Sequence, residues 1–469
     1  STSSGYVFGT IQNGVIITDK AGGIVRHLNR ESGLQNNTVL SLFEDRQQNL
    51  WLGLDNGIDY AELNEEFSYY RDSPGLLGSV YDAVSFDGKL YLGTNHGVFR
   101  RDLEAPFNSP FEFLPNSHGQ AWSLDVLDGQ LICGHNEGTF RAGPRPDEFR
   151  KISDVTGGWL SRAVPGRPDI RVQGNYTGLA VFRKAGGSWV FSHRIPDFVH
   201  PIRYLEFDHQ GSLWASRAYE GIYRIRLTDD FRRIDKIDYF NTADGFPSDF
   251  NINVFKIDNQ LIFATGKGIY TYDGLKGKVV PFERLNKGLG VLQKAHRVIP
   301  AGKNRYWFIS TGAIALVTLQ DFQVQAKIRS PFSRFLPQMV SEYQNIVALD
   351  DSTHLFCLDD GFAILADSVL GALAQKKDAR LFIRRVVNLS DSSRLLPFNA
   401  ETPRIRYNKS NIKVSYAAPF YGYDEKMFQV MLEGFDDSWS SPSQLNYKEY
   451  TNLPAGTYTF RVRLVEDAA

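Results

Sequence analysis

The sequence is poor in cysteine, with two among 469 residues, and in methionine, with three. Two thiols make no disulfide framework. Cys133 and Cys357 both lie inside apolar runs, where a buried free thiol is expected. Their scarcity does not place the chain inside or outside a cell, because a large core needs no staples. An excess of one charge is missing as well. Against 53 Asp and Glu stand 52 Lys and Arg, so no electrostatic footprint for DNA, RNA or an anionic membrane surface exists, and nucleic acid is excluded as an expected partner. No apolar run approaches the roughly 18 residues of a membrane-spanning helix and no signal peptide is recognisable, so the chain reads as a soluble piece of something larger. Helical periodicity is nearly absent, apart from a short stretch near 367–378. The patterns G-x-S-x-G and H-E-x-x-H are missing, and "GKGIYTYDG" lacks the following helix that a phosphate loop needs.

What the chain has is apolar and aromatic material, 42% and 13% of its residues. That is ample for large cores and weighted toward strands. It also repeats itself. "NLWLGLDNGI" (49–58) has a bulky pair, a small residue, a polar turn, Gly and a new apolar run, and the pattern returns as "KLYLGTNHGVFR", "QLICGHNEGTFR", "LWASRAYEGIYR" and others. There are nine copies, with turn positions at Gly14, Gly57, Gly97, Gly138, Gly178, Gly221, Gly268, Ala313 and Gly361, spaced by 40 to 48 residues. A fixed period of this size signals an array architecture.

Each copy after the first has a strand upstream of its hairpin, such as "TVLSLFED" (38–45), and a fourth apolar segment follows, such as "FSYY" (67–70). Four strands in this span make one propeller blade. A single blade cannot shield both faces of its sheet, so blades must stack around an axis into a closed ring. The expected fold is all-β: a propeller of four-stranded blades over 1–379, in a ring of seven to nine, with the first blade partial and residues 1–70 assignable to a preceding propeller. The turn Gly supplies the positive φ that a tight hairpin needs; Ala313 departs from it, and a distorted turn is expected there. From about 380 the period stops. Alternating strands such as "TYTFRVRL" predict an immunoglobulin- or fibronectin-like β-sandwich over 380–469, with its last strand lacking. In "TYTFRVRL", Tyr458, Phe460, Val462 and Leu464 should face one side.

In a propeller the hairpin turns gather on one face with the loops leading into the innermost strands, so residues about 40 apart in sequence become neighbours. Asn56, His96, His135, Asn136, Glu137, Tyr176, Tyr219 and Glu220 are placed on that face, with Trp122 and Trp159 closer to the mouth of the central channel. Aromatic rings beside Asn, His and carboxylates suit a sugar, whose ring face stacks while its hydroxyls are hydrogen-bonded. Ordinary solvated turns are the alternative. His96 and His135 occupy different turn offsets and imply no metal, and no cofactor is implied. Glu137 and Glu220 fall in non-adjacent blades, so they form no glycosidase pair. Trp51, Trp214 and Trp307 take equivalent places in the hairpin's first strand and are expected to pack between blades.

The stretches "GLQNNTVLSLFEDRQQNLWLGLDNGI" and "DGFPSDFNINVFKIDNQLIFATGKGIYTYD" resemble two-component-regulator propeller repeats, and "MLEGFDDSW…YTNLPAGTYTFRVR" resembles the triple-tyrosine domain that follows such propellers in Bacteroidetes sensors. The ordered pair is more specific than either alone. Where the family pattern has tyrosine before "LEG" this chain has Phe428 and Val430, while Tyr450 and Tyr458 are kept. The resemblance implies a periplasmic ectodomain that senses a carbohydrate or other small ligand. It further implies a homodimer, a membrane anchor through a C-terminal helix beyond this segment, an output through a kinase or DNA-binding module, and no catalysis by this segment. An extracellular propeller lyase or glycosidase and a protein-binding scaffold are the alternatives.

Overall fold

The structure is a computed structural model that describes residues 5–46, 48–63, 67–72, 75–107, 109–143, 145, 148–217, 220–329, 331–371, 381–391, 394–396, 402–406, 410–418 and 427–465. The chain divides into two compact units, Ser1–Ser68 and Tyr69–Ala469.

The first unit holds two three-stranded antiparallel sheets. One is Gly5–Gly9, Val15–Asp19 and Ile24–Leu28; the other is Val39–Glu44, Leu50–Leu54 and Ile58–Ala61. Alternation along Leu50–Leu54 buries Leu50, Leu52 and Leu54 with Val15, Ile17 and Val39 in one core. Trp51, on the other side of that strand, is half-buried against the Tyr60 ring, 4.9 Å between centroids.

In the second unit seven four-stranded antiparallel sheets form a propeller, and their innermost strands are Val80–Phe86, Ala121–Leu127, Ser161–Val164, Ile202–Phe207, Asn253–Ile257, Arg297–Pro300 and Ile346–Asp350. They are named here the first to the seventh blade. Every neighbouring pair is joined by side chains: Thr139 donates to Gln173 (2.7 Å), Arg162 pairs with Glu206 (2.7 Å), Ser216 accepts the Val254 N–H (2.9 Å), and Tyr306 donates to Asp258 (2.7 Å). Trp307 packs on Phe356, and the Leu124 N–H donates to Asp82 across the first two blades. The circle is closed by a core of Leu90, Leu92 and Phe99 from the first blade with Leu355, Cys357 and Phe362 from the seventh. Trp214 and Trp307 are fully buried, and Cys133 and Cys357 are buried free thiols.

Three local expectations are corrected. "FSYY" reads as the fourth strand of the blade that carries Trp51; instead Phe67–Arg71 pairs outside Gly361–Ala366 as the outer strand of the seventh blade. The last three residues of this strand open the second unit. Tyr70 stacks on Phe362, 5.1 Å apart at 5°. The turn at Ala313 is regular: the Ser310 N–H donates to the Ala313 carbonyl (2.9 Å) and the Ala313 N–H donates to the Ser310 hydroxyl (3.0 Å). Thr94 and Gly97 make the same pair of bonds, as do Thr265 and Gly268. A hydroxyl three residues before the turn's last position therefore holds it, with or without glycine. Helical turns occur where no period announced them: Glu283–Leu289, continued by Gly290–Lys294, and Phe332–Gln338. The stretch expected to be helical begins as a single turn, Asp367–Val369, and most of its remainder lies outside the described residues.

The C-terminal region is a β-sandwich of a four-stranded sheet and the pair Met427–Glu433 with Thr459–Val465. Phe428, Val430 and Leu432 stand opposite Leu464, Val462 and Phe460, and Ile412, Val414, Leu432, Tyr450 and Leu453 form a core across both sheets. The Tyr450 hydroxyl donates to Asp436 (2.9 Å), whose carboxylate also accepts the Leu432 N–H (2.7 Å). Burial and that carboxylate push the Tyr450 phenol well up. Phe428 packs on Tyr416, 5.1 Å between rings, so the position without a hydroxyl is filled by apolar contact.

Candidate functional site at the mouth of the ring

Three innermost strands share one irregularity. Val80 and Asp82 pair with successive residues of the next strand, leaving Tyr81 unpaired; Trp122 is left out between Ala121 and Ser123, and Arg203 between Ile202 and Tyr204. A one-residue bulge of this kind re-aims the side chain it carries, and bulges are enriched beside binding sites. Here they sit at the ends of the innermost strands nearest the hairpin turns, in the first, second and fourth blades.

The three side chains meet on one residue. Tyr343, in the segment entering the seventh blade, stacks on Trp122 (4.9 Å, 22°), lies 5.7 Å from the Tyr81 ring and has the Arg203 guanidinium 3.9 Å from its own centroid. Tyr81 and Trp122 touch each other at 4.7 Å. Arg203 donates to the Glu342 carbonyl oxygen, and Glu342 holds a left-handed φ of 64°. Beside this group Arg297 donates to Asn345 (2.8 Å) and to the Tyr204 hydroxyl (3.2 Å), and His296 lies 3.3 Å from Gln344. Burial pushes the His296 imidazole below its usual value, and the two arginines add to that. Burial raises the Tyr204 phenol, but the Arg203 and Arg297 charges outweigh it and the net direction is down.

Of the residues named from sequence, Trp122, Tyr176 and Trp159 belong to this group. The Trp122 indole N–H donates to the Tyr176 hydroxyl (2.9 Å), and Trp159 meets the Tyr176 ring edge-on at 4.8 Å. Asn136 binds the backbone of the loop before Trp122, its side-chain oxygen accepting the Gln120 N–H (3.2 Å). His135 is fully buried inside its blade, where burial holds its pKa down and its Nδ1 accepts the Glu137 N–H. His96 is exposed and contacts the Leu76 carbonyl (3.0 Å). Glu220 pairs with Arg217 at 3.6 Å and Glu137 is exposed two blades away. Asn56 belongs to the first unit, and Tyr219 lies outside the described residues. Tyr81, Arg203 and Tyr343 were missed. Their signal was a shared offset, Tyr81, Trp122 and Arg203 each standing one residue after the first of their strand, and Tyr343 carried no signal at all.

The fold and its mouth define a propeller with a preorganised aromatic and cationic cluster at one end of its axis, followed by a β-sandwich. Residues 33–56 match the family described as two component regulator propeller, and residues 420–467 match the Y_Y_Y domain. Among solved structures the chain is similar to the extracellular domain of a hybrid two component system from B. thetaiotaomicron, at 17% identity and a TM-score of 0.75, covering 99% of this chain and 66% of that one. It is also similar to the extracellular domain of a one component system from the same organism, at 15% identity and a TM-score of 0.50, covering 96% of this chain and 64% of that one. The chain thus spans somewhat under two thirds of the length of these structures. No curated protein matches it. Among the described residues no helix is long and apolar enough to cross a membrane, and no three His, Cys, Asp or Glu side chains gather to hold a metal.

Proposed function

We propose that this chain is the extracytoplasmic, periplasmic sensing part of a membrane-anchored regulator, and that it binds a carbohydrate at the mouth of the seven-bladed ring. The observation that carries this reading is the convergence of Tyr81, Trp122, Tyr176 and Tyr343 at the axis, held there by bulges and by the Trp122–Tyr176 hydrogen bond. Flat, half-buried rings with a polar rim suit the apolar face and hydroxyl edge of a sugar. The family matches and the similarity to extracellular domains support the regulatory setting. In that setting the first unit is the end of a preceding propeller, the β-sandwich passes the change toward the membrane, and two copies work as a dimer whose arrangement the ligand biases.

Titration calorimetry of the full chain against a panel of neutral and acidic oligosaccharides tests the reading. At least one should bind, and Trp122→Ala should weaken it by about tenfold or more, the scale of one lost stacking platform. A silent panel removes the carbohydrate reading.

A further inference from the structure

Four arginines of the ring are matched by carboxylates: Arg162 with Glu206 (2.7 Å), Arg224 with Asp208 (3.2 Å), Arg305 with Asp367 (2.7 Å) and Arg171 with Asp125 (3.8 Å). Arg203 is not. Among the described residues it forms no ion pair; its partners are the Glu342 carbonyl oxygen and the faces of Tyr343 and Tyr204, at 3.9 and 5.1 Å. A guanidinium has five N–H donors in a planar fork that fits a carboxylate or a sulfate. The second guanidinium at the mouth, Arg297, lies 5.7 Å from the centroid of the same Tyr204 ring, donates to Asn345 and to the Tyr204 hydroxyl, and likewise forms no ion pair among the described residues. Glu342 is exposed and presents its backbone carbonyl to Arg203, while its carboxylate acts on Tyr204 and His296 through charge alone. Neither guanidinium at this half-buried aromatic mouth has a carboxylate in direct contact among the described residues; Asp82 and Glu342 act on the site only at longer range, in a chain whose total charge is close to zero.

We propose that the mouth takes an acidic saccharide, in which the sugar ring faces Tyr81 and Trp122 and Arg203 holds the carboxylate or sulfate. This rests on the carbohydrate reading above and adds the charge of the ligand to it. Because Arg203 reaches the site from a bulge in the fourth blade and Trp122 from one in the second, the anionic group must project from the side of the stacked ring that faces the fourth blade. Charge-assisted hydrogen bonds to a guanidinium are about twice as strong as neutral ones and depend on salt where solvent reaches them.

The experiment compares three galactose-based probes on the full chain: a neutral galacto-oligosaccharide, an oligogalacturonate and a sulfated galactan oligosaccharide. At least one acidic probe should bind about tenfold or more tighter than the neutral one, with affinity falling as salt is raised; which acid wins separates carboxylate from sulfate. Arg203→Gln should erase that preference, weakening the acidic probe by a larger factor than the neutral one, and Arg203→Lys should retain the salt dependence with part of the affinity. Thermal melting of each variant checks folding, and the salt dependence of the unaltered chain stands even if a variant does not fold. Equal binding of neutral and acidic probes, or a preference untouched by Arg203→Gln, overturns the acidic ligand and leaves the carbohydrate reading standing. No binding of any probe here or in the wider panel overturns both.

Discussion

At Gly361, Gly138 and Gly178 the repeat's glycine answers two demands at once. Their φ angles are 136°, 143° and 116°, and a Cβ added to each would lie 2.1, 2.1 and 2.0 Å from a backbone carbonyl oxygen, of Tyr70, Ser153 and Phe198 respectively. Left-handed backbone accounts for the residue type at the turn, and the neighbouring chain's approach accounts for its intolerance of any side chain. Gly361→Ala should therefore cost more than the ordinary penalty for positive φ, about 2 kcal/mol or more by chemical denaturation. Gly22→Ala, at φ 91° with nothing within 4 Å of the added atom, should cost only the backbone share. The first demand was legible in "DNG" and "NEG", because it is a property of four consecutive residues. The second was not, since it depends on a strand that pairs from elsewhere in the sequence. The same limit explains Ala313. Its turn is kept by the Ser310 hydroxyl, a signal available as Thr94, Thr265 and Ser310 at one offset, yet overshadowed by the more conspicuous glycine.

Elements follow the same division between local and distant causes. Nine hairpin signatures correspond to hairpins in nine sheets, since each is made of adjacent strands joined by a tight turn. The fourth strand of a blade has no such guarantee. Phe67–Arg71 has the apolar composition of any outer strand, and composition gives its phase without naming its partner. The structure spends it on the last blade, so the ring is closed by chain from both ends of the repeat array. Tyr70 is the anchor of that closure: it stacks on Phe362 and meets Phe111 edge-on at 5.2 Å, with the Arg101 guanidinium over Phe111 at 4.6 Å. Tyr70→Ala should lower stability by about 3 kcal/mol, the range for a large aromatic lost from a packed cluster. An equal truncation at Phe8, 51% exposed in the first unit, should stay within roughly 0.5 kcal/mol. If the two variants melt alike, the closing role of Phe67–Arg71 is wrong. The helical turn Glu283–Leu289 buries only Leu285 and Leu289. Two apolar positions in seven residues give no period to read, so it was invisible from sequence.

On the scale of the whole ring, the inner wall is held by polar bonds that run from blade to blade, and Asp82 is where several meet. Its carboxyl accepts N–H groups from Leu124 of the second blade (2.8 Å) and from Ala83 of its own (3.0 Å), and the Asn345 amide at the seventh blade (3.1 Å); Asn345 in turn accepts from Arg297 of the sixth. Desolvation raises its pKa from 3.8 to about 7, with Asp125 adding to the rise, while the two backbone N–H groups and Arg297 oppose it without cancelling it. The folded state thus holds a proton that the unfolded chain releases once pH passes about 4, so between about 4 and 7 unfolding sheds protons and stability falls as pH rises. Below and above that window this carboxyl contributes no slope. The side chain is partly exposed on the inner wall, so the loss across the window should be less than the ~4 kcal/mol that such a shift represents for a fully sequestered group. His135, His296 and His354 act in the opposite sense, since burial lowers each of them and their folded forms resist protonation; stability from these three rises with pH through about 6. The net profile is therefore a sum of opposed slopes, and only a difference isolates Asp82. Asp82→Asn keeps a side-chain acceptor without the titration. Urea unfolding of both proteins across pH 4 to 8 should show the variant gaining on the parent as pH rises from about 4 to 7, with the two curves parallel beyond. Curves parallel throughout would mean that Asp82 ionises in the folded ring as it does in water, and that the blade-to-blade bonds of the inner wall are made by a carboxylate.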